Sequence, residues 1–225
     1  MIDYLVVTAH PDDETAVAGL LLQAKAKGLT TGLICLTKGE AGGFAESQTR
    51  TEELKKAAEL LELDFFRHLD FPDAGIEFSG EAVEKLVPLM REAAARVVLT
   101  IHPDDYHPDH LAVSRLVDRV VFVAGLKKHS DDDKTWHPNQ VLYYSLDPRS
   151  NKNRPDIIFD VTDVYGKKLE VLRAHASQEI EPFIDELSRV YGRMGGFTHG
   201  EGLYIRQPLR LNDPKVFLNN NKIGK

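Results

Sequence analysis

Two hydrophobic periods alternate along this chain, and that alternation most constrains its fold. Short runs rich in β-branched or aromatic residues occur at Leu5 to Thr8, Thr31 to Leu36, Phe65 to Leu69 and Val97 to Ile101. Their length and composition suit strands buried on both faces. Longer segments with helical spacing lie between them. One runs from about Glu14 to Lys27, with Val17, Leu20, Leu21 and Ala24, and a second from about Thr49 to Leu61, with Leu54, Ala57 and Ala58. A third covers Gly80 to Ala95, with Val83, Leu86, Val87 and Met90, and a fourth spans His110 to Ala124, with Val113, Leu116, Val117 and Val120. Such alternation implies right-handed crossovers and an α/β, Rossmann-like three-layer sandwich with a mostly parallel central sheet. Ligands in these sheets bind outside the carboxyl ends of the strands.

The last third is less regular. Lys127 to Pro138 is polar and reads as a surface loop, as does Asp147 to Pro155 with its Pro, Asn, Ser and Arg. Val141 to Tyr144, Ile157 to Val161 and Leu203 to Arg206 read as strands. Asp163 to Ala176 and Pro182 to Arg193 read as helices, and the tail after Asn212 as frayed.

At 225 residues the chain suits one domain with a full core. A formal charge of −7 disfavours a nucleic-acid backbone as partner. No apolar stretch approaches the roughly 18 residues of a membrane span, and Met1 to Tyr4 lacks the basic start of a signal peptide. The lone Cys35, within Gly32 to Leu36, reads as a small buried hydrophobe. These features point to a cytoplasmic protein.

The chemistry lies at two strand ends. Ala9-His10-Pro-Asp12-Asp13-Glu14 follows the first run, and Tyr106-His107-Pro-Asp109-His110 follows the fourth. His10, Asp13 and His110 offer two imidazoles and a carboxylate, the kind of set that catalytic zinc sites use while leaving a fourth position for water. Of the adjacent aspartates 12 and 13, one can bind metal while the other accepts a proton. His107 can act as proton donor or oxyanion stabiliser, with Asp109 to orient it.

These residues resemble the PIG-L/LmbE-like family of zinc-dependent N-acetylglucosaminyl deacetylases. Leu36-Thr-Lys-Gly-Glu-Ala41 resembles its Thr-x-Gly-Glu loop, and Arg50-x-x-Glu53 before Ala57-Ala58 resembles the opening of its second helix. The resemblance covers roughly residues 2–210. It is nearest to the bacillithiol-pathway deacetylases of GlcNAc-malate, through Ala124 to Lys128, Tyr143-Tyr144, Asp160 to Asp163, Ser177-Gln178 and Gly200 to Tyr204. It implies zinc on His10, Asp13 and His110 (Fe2+ and Mn2+ suit the same ligands), Asp12 as general base, and His107 as acid or oxyanion stabiliser supported by Asp109. Arg50 is implied as a contact for substrate or released acetate. Glu40 is placed in a loop beside the site, and Tyr106 and His102 in the pocket. The resemblance also implies a small amino-sugar substrate and a homo-oligomer. The chain departs from the family pattern in His102, Asp104 and Asp105, in Glu201-Gly-Leu and in His175-Ala-Ser-Gln, which bear on the acceptor half of the substrate.

Other readings compete. Either aspartate of the first motif can simply cap a helix, Arg50 and Glu53 can be an exposed i,i+3 pair, and Gly42-Gly43 an ordinary turn. His68, His129, His137 and His199 read as satisfied or solvated, and Trp136 as a packing residue. At the level of function, the alternatives to a GlcNAc-malate deacetylase are a chitobiose or inositol-conjugate deacetylase, a metal-dependent phosphoesterase, and a non-catalytic nucleotide-binding domain. Against the last, no Gly-x-Gly-x-x-Gly follows the first strand.

Overall fold

The computed structural model describes residues 1–43, 45–129, 135–147 and 153–209. The frayed tail expected after Asn212, and the centres of the two expected loops, lie outside the described residues. Among the described residues, seven strands form one sheet: β1 (Tyr4–Thr8), β2 (Thr31–Thr37), β3 (Phe65–Phe71), β4 (Val97–Ile101), β5 (Gln140–Tyr144), β6 (Ile157–Asp160) and β7 (Gly200–Ile205). Their order is β3-β2-β1-β4-β5-β7-β6. The first five are parallel, and β7 runs antiparallel between β5 and β6. The sheet is therefore mostly parallel, as the sequence implies.

Among the described residues, six α-helices accompany the strands: α1 (Ala18–Ala26), α2 (Ser47–Leu60), α3 (Gly80–Ala93), α4 (Pro108–Ala124), α5 (Tyr165–Ala174) and α6 (Glu181–Gly195). Helices α1, α2 and α5 pack together, while α3 packs on α4 and α4 on β1 and β4. With helices on both faces, the central strands have no solvent side. Leu5, Val6 and Val7 of β1 and Val98 and Leu99 of β4 are accordingly buried together with Leu33 to Leu36 of β2. Trp136 joins this core, its indole N–H donating to the Ala95 carbonyl at 2.9 Å. Cys35 is wholly buried, and burial pushes its thiol well above the usual range, so it packs rather than reacts. Among the described residues, no helix is long and apolar enough to cross a membrane.

Two element starts beside the motifs differ from the sequence expectation. The first helix begins at Ala18, not Glu14, because Asp13–Val17 forms a tight 3-10 turn. In that turn Thr15 N–H reaches the Asp12 carbonyl at 3.0 Å, while the Asp13 and Glu14 side chains fold back into the interior. The fourth helix begins at Pro108, before His110. His107 is its N-cap, Nδ1 accepting the Asp109 N–H at 3.2 Å, and Pro108 takes the first turn, where a missing N–H costs nothing. Gly19, at the start of α1, permits a close crossing, since a Cβ there would meet Val161 Cγ1 at 2.6 Å and Glu201 Oε1 at 2.7 Å.

Candidate metal centre

The strand order reverses between β1 and β4. From β1 the chain steps outward through β2 to β3, then returns to place β4 on the other side of β1. At such a switch point the loops after the two central strands diverge and leave a crevice. Those loops carry the two His/Asp motifs, which are distant in sequence but adjacent here.

His10 Nδ1 and His110 Nε2 face each other at 3.3 Å. Asp13 Oδ1 lies 3.4 Å from the same His110 Nε2, and Asp13 Oδ2 lies 3.6 Å from His10 Nδ1. All three side chains are buried. At a metal–nitrogen distance of about 2.0–2.1 Å, neighbouring ligand atoms in a tetrahedral zinc site are about 3.3–3.4 Å apart. The donor set therefore fits a small divalent cation in both type and spacing.

Two further groups converge on His10. Ligand atoms of His10, His107 and His110 lie within 4.8 Å of one another, as do those of His10, Asp73 and Asp109. Hydrogen bonding distinguishes them from Asp13. Asp109 accepts the Ala74 N–H at Oδ2 (2.8 Å) and the Ile76 N–H at Oδ1 (3.1 Å), and Asp73 Oδ2 accepts from Ala41 and Gly42. Nδ1 of His107 is occupied as the helix cap. Asp13 uses Oδ2 for the Ala9 and His10 N–H groups, at 3.1 and 2.8 Å, which leaves Oδ1 directed at His110.

Carboxylates also brace the far nitrogens of both facing imidazoles. His10 Nε2 lies 3.1 Å from Asp73 Oδ1 and 3.2 Å from Asp109 Oδ2. His110 Nδ1 lies 3.1 Å from Asp105 Oδ1, which also accepts the His107 N–H at 2.9 Å. Such outer carboxylates fix ring orientation and tautomer at metal sites. The expectation that Asp109 orients His107 is thus corrected. Its carboxylate lies on His10, and only its backbone N–H meets the His107 ring, because the helix-cap geometry turns the side chain towards the Ala74–Ile76 loop.

The charges follow this arrangement. Burial opposes the protonated form of His10, but Asp109, Asp13 and Asp73 outweigh it and push its pKa up to about 10. Burial likewise opposes protonation of His110, and Asp13 and Asp105 carry it up to about 9. Asp13, although buried, is held well below the usual carboxylate range by His110 and His10. Burial and then the Asp13 carboxylate lift Asp12 to about 7, with Arg50 and His175 pulling the other way. Burial lowers His107, and the His110 and His10 rings, each with its centroid 4.7 Å away, add to the shift.

Arg50 is 4% exposed and is not half of a surface pair. Its Nη1 donates to the Gly39 carbonyl at 3.0 Å and its Nη2 to the Pro11 carbonyl at 2.9 Å, with Asp12 Oδ2 at 3.5 Å; Nε is buried without a partner. Glu53 turns instead to Ser177, accepting its N–H and its hydroxyl. Gly39 is required here, since its φ is +68° and a Cβ would come within 2.2 Å of Arg50 Nη1. Glu40 is exposed and accepts the Asp73 N–H at 2.9 Å, so it binds one loop to another. Tyr106 is 65% exposed, its ring 6.2 Å from that of His107. His102 is buried edge-on to Tyr143 and Tyr204 and does not join the imidazole cluster.

Asp73 was not singled out by sequence reasoning, Glu14 only closed the first motif, and His175 and Asp105 stood only as departures from the family pattern. The signal for Asp73 was its place just past β3, at the same edge of the sheet as the two motifs. Of the remaining histidines, His68 meets the Thr37 carbonyl at 2.7 Å, His129 meets Glu84 at 3.1 Å, and His199 stacks on Tyr165 at 3.6 Å.

Known proteins resemble this chain in sequence and in fold. The family model described as PIG-L, GlcNAc-PI de-N-acetylase, matches residues 5–121, just over half of the chain. A diacetylchitobiose deacetylase of Thermococcus kodakarensis is 29% identical over 226 residues, covering 88% of this chain and 81% of that protein. A probable N-acetyl-alpha-D-glucosaminyl L-malate deacetylase 2 of Bacillus subtilis is 30% identical over 190 residues, covering 77% and 82%. Among solved structures, a conserved protein of Thermus thermophilus superposes with a TM-score of 0.87 at 30% identity, covering 95% of this chain and 98% of that one. With both motifs at the switch point of a matching fold, the chain belongs to the PIG-L, GlcNAc-PI de-N-acetylase family.

Proposed function

We propose that this protein is a metal-dependent N-deacetylase that hydrolyses the acetamide of an N-acetylglucosamine conjugate. His10, Asp13 and His110 would hold the cation, Zn2+ in the first instance. The observation that carries this reading is the convergence of His10 Nδ1, His110 Nε2 and Asp13 Oδ1 at 3.3 and 3.4 Å. A bound cation of this kind polarises an amide carbonyl and acidifies water. The chain's own groups supply the rest. Asp12, lifted towards neutrality and beside the ligand Asp13, takes the proton of the attacking water. His107 accepts at Nδ1, so its proton resides on Nε2. There it can donate to the developing oxyanion or to the departing amine. Arg50 steadies the Pro11 carbonyl beside Asp12, Tyr106 offers an exposed ring to a sugar face, and Glu40 holds the Asp73 loop.

The conjugate is proposed to be GlcNAc-malate or diacetylchitobiose, on which the two deacetylase relatives by their descriptions act. A one-domain, cytoplasmic protein is the accompanying proposal, drawn from the chain length, composition and single cysteine, and its assembly as a homo-oligomer is proposed from the family resemblance alone. Acetate release is to be measured on GlcNAc and on its malate, inositol and chitobiose forms, with bound metal quantified in parallel. Chelation should abolish release and a divalent ion restore it. Activity that persists at full strength in metal-free protein, or no metal bound on addition, would overturn the reading.

A further inference from the structure

Asp12 has φ 120° and ψ −24°, a strained conformation that L side chains rarely adopt. Such a residue persists only where its surroundings hold it. On the carbonyl side, Thr15 donates to the Asp12 oxygen from N–H at 3.0 Å and from its hydroxyl at 2.6 Å. On the amide side, the Asp12 N–H donates to Glu14 Oε2 at 3.1 Å. The other oxygen of Glu14 lies 2.6 Å from His175 Nε2, and both side chains are completely buried.

His175 follows α5, far away in sequence, and its segment is fixed independently by the hydrogen bonds from Ser177 to Glu53 of α2. The proposed hydrolysis uses neither Glu14 nor His175. A carboxylate buried this deeply needs a partner, and His175 is the one placed for it.

We propose that Glu14 and His175 are positioning residues for Asp12. His175 fixes the Glu14 carboxyl, and Glu14 fixes the Asp12 amide, and with it the left-handed turn that divides two adjacent aspartates. That turn directs Asp13 at His10 and His110 while leaving Asp12 beside Arg50, 3.5 Å from Nη2. Without the Glu14 acceptor, Asp12 relaxes to negative φ and its carboxylate leaves the position from which it takes a proton. The inference rests on the reading of Asp12 as general base.

The test compares Glu14→Ala with Glu14→Gln, which keeps an acceptor oxygen. The readouts are bound metal, KM, kcat, and amide hydrogen exchange of residues 11–13 in the metal-loaded protein. Glu14→Ala should lower kcat about 10- to 100-fold, the scale of a small misplacement of a reacting group, with KM and bound metal within about twofold. Its Asp12 amide should exchange faster, and Glu14→Gln should recover most of both losses. If Glu14→Ala does not fold, His175→Phe and His175→Gln repeat the comparison from the other end of the pair. A kcat within about twofold of wild type per folded, metal-loaded molecule, an unchanged Asp12 exchange rate, or a glutamine variant as impaired as alanine would overturn the proposal. Should wild type hydrolyse no acetamide, the deacetylase reading falls, and the exchange measurement alone still decides whether Glu14 holds the Asp12 amide.

Discussion

Asp12 and Asp13 are chemically identical neighbours held in opposite electrostatic states. Two imidazoles surround Asp13 and keep it ionised, whereas burial and the charge of Asp13 raise Asp12 to about 7. Separation of the two pKa values within one turn suits a ligand beside a base. Asp12→Asn should therefore keep its metal and lose about 10²- to 10⁴-fold in kcat, the usual span for a positioned base. Loss of metal instead would mean that the two roles are exchanged. Because the proposed base works as a carboxylate, kcat should fall as pH drops through an acid limb at or below about 7. A cation beside Asp12 moves that limb further down. A pH profile of the residual Asp12→Asn activity that retains the same limb would assign it to another group.

At the scale of elements, the site depends on a strand far from it in sequence. Glu201 of β7 accepts the Gly19 and Leu20 N–H groups at the start of α1, at 2.7 and 2.8 Å, and pairs with Lys168 of α5 at 2.7 Å. It caps a helix N-terminus with a carboxylate, where the helix dipole favours negative charge, and α1 follows directly on the turn that bears Asp13 and Glu14. Removing one member of a buried ion pair leaves the other uncompensated. Glu201→Ala should thus destabilise the fold by about 3–5 kcal/mol, measured by urea unfolding; a loss under about 1 kcal/mol would show that the cap and pair contribute little. The third helix and the first four of the five parallel strands were legible because burial on both faces leaves an uninterrupted apolar run, and an amphipathic helix leaves its own period. The 3-10 turn at Asp13–Val17 was not, because it follows from where its carboxylates are anchored, not from any periodicity.

For the whole molecule, protonation and metal binding oppose each other. The folded-state pKa values of His10 and His110 are raised from 6.5 to about 10 and about 9. Without metal, their contribution to stability is complete below pH 6.5 and is lost as pH rises through about 9 and then 10. Metal-free protein should consequently show a falling urea midpoint from pH 7 to 9.5, and metal-loaded protein a flatter one, since bound cation displaces the protons. Calorimetry at pH 7 in buffers of different ionisation enthalpy should record about two protons released per metal bound. A midpoint that stays level or rises in the metal-free form would refute this linkage.

The sequence by itself determined the parallel sheet and put both His/Asp motifs at one edge of it, because hydrophobic period is local and the carboxyl ends of parallel strands share an edge. Tertiary structure decided the partners. It placed Asp109 on His10 and Asp105 on His110, sank Arg50 among backbone carbonyls, and brought His175 to Glu14. These depend on side-chain direction, on one residue held at φ 120° and on contacts between segments far apart in the chain, none of which local spacing encodes.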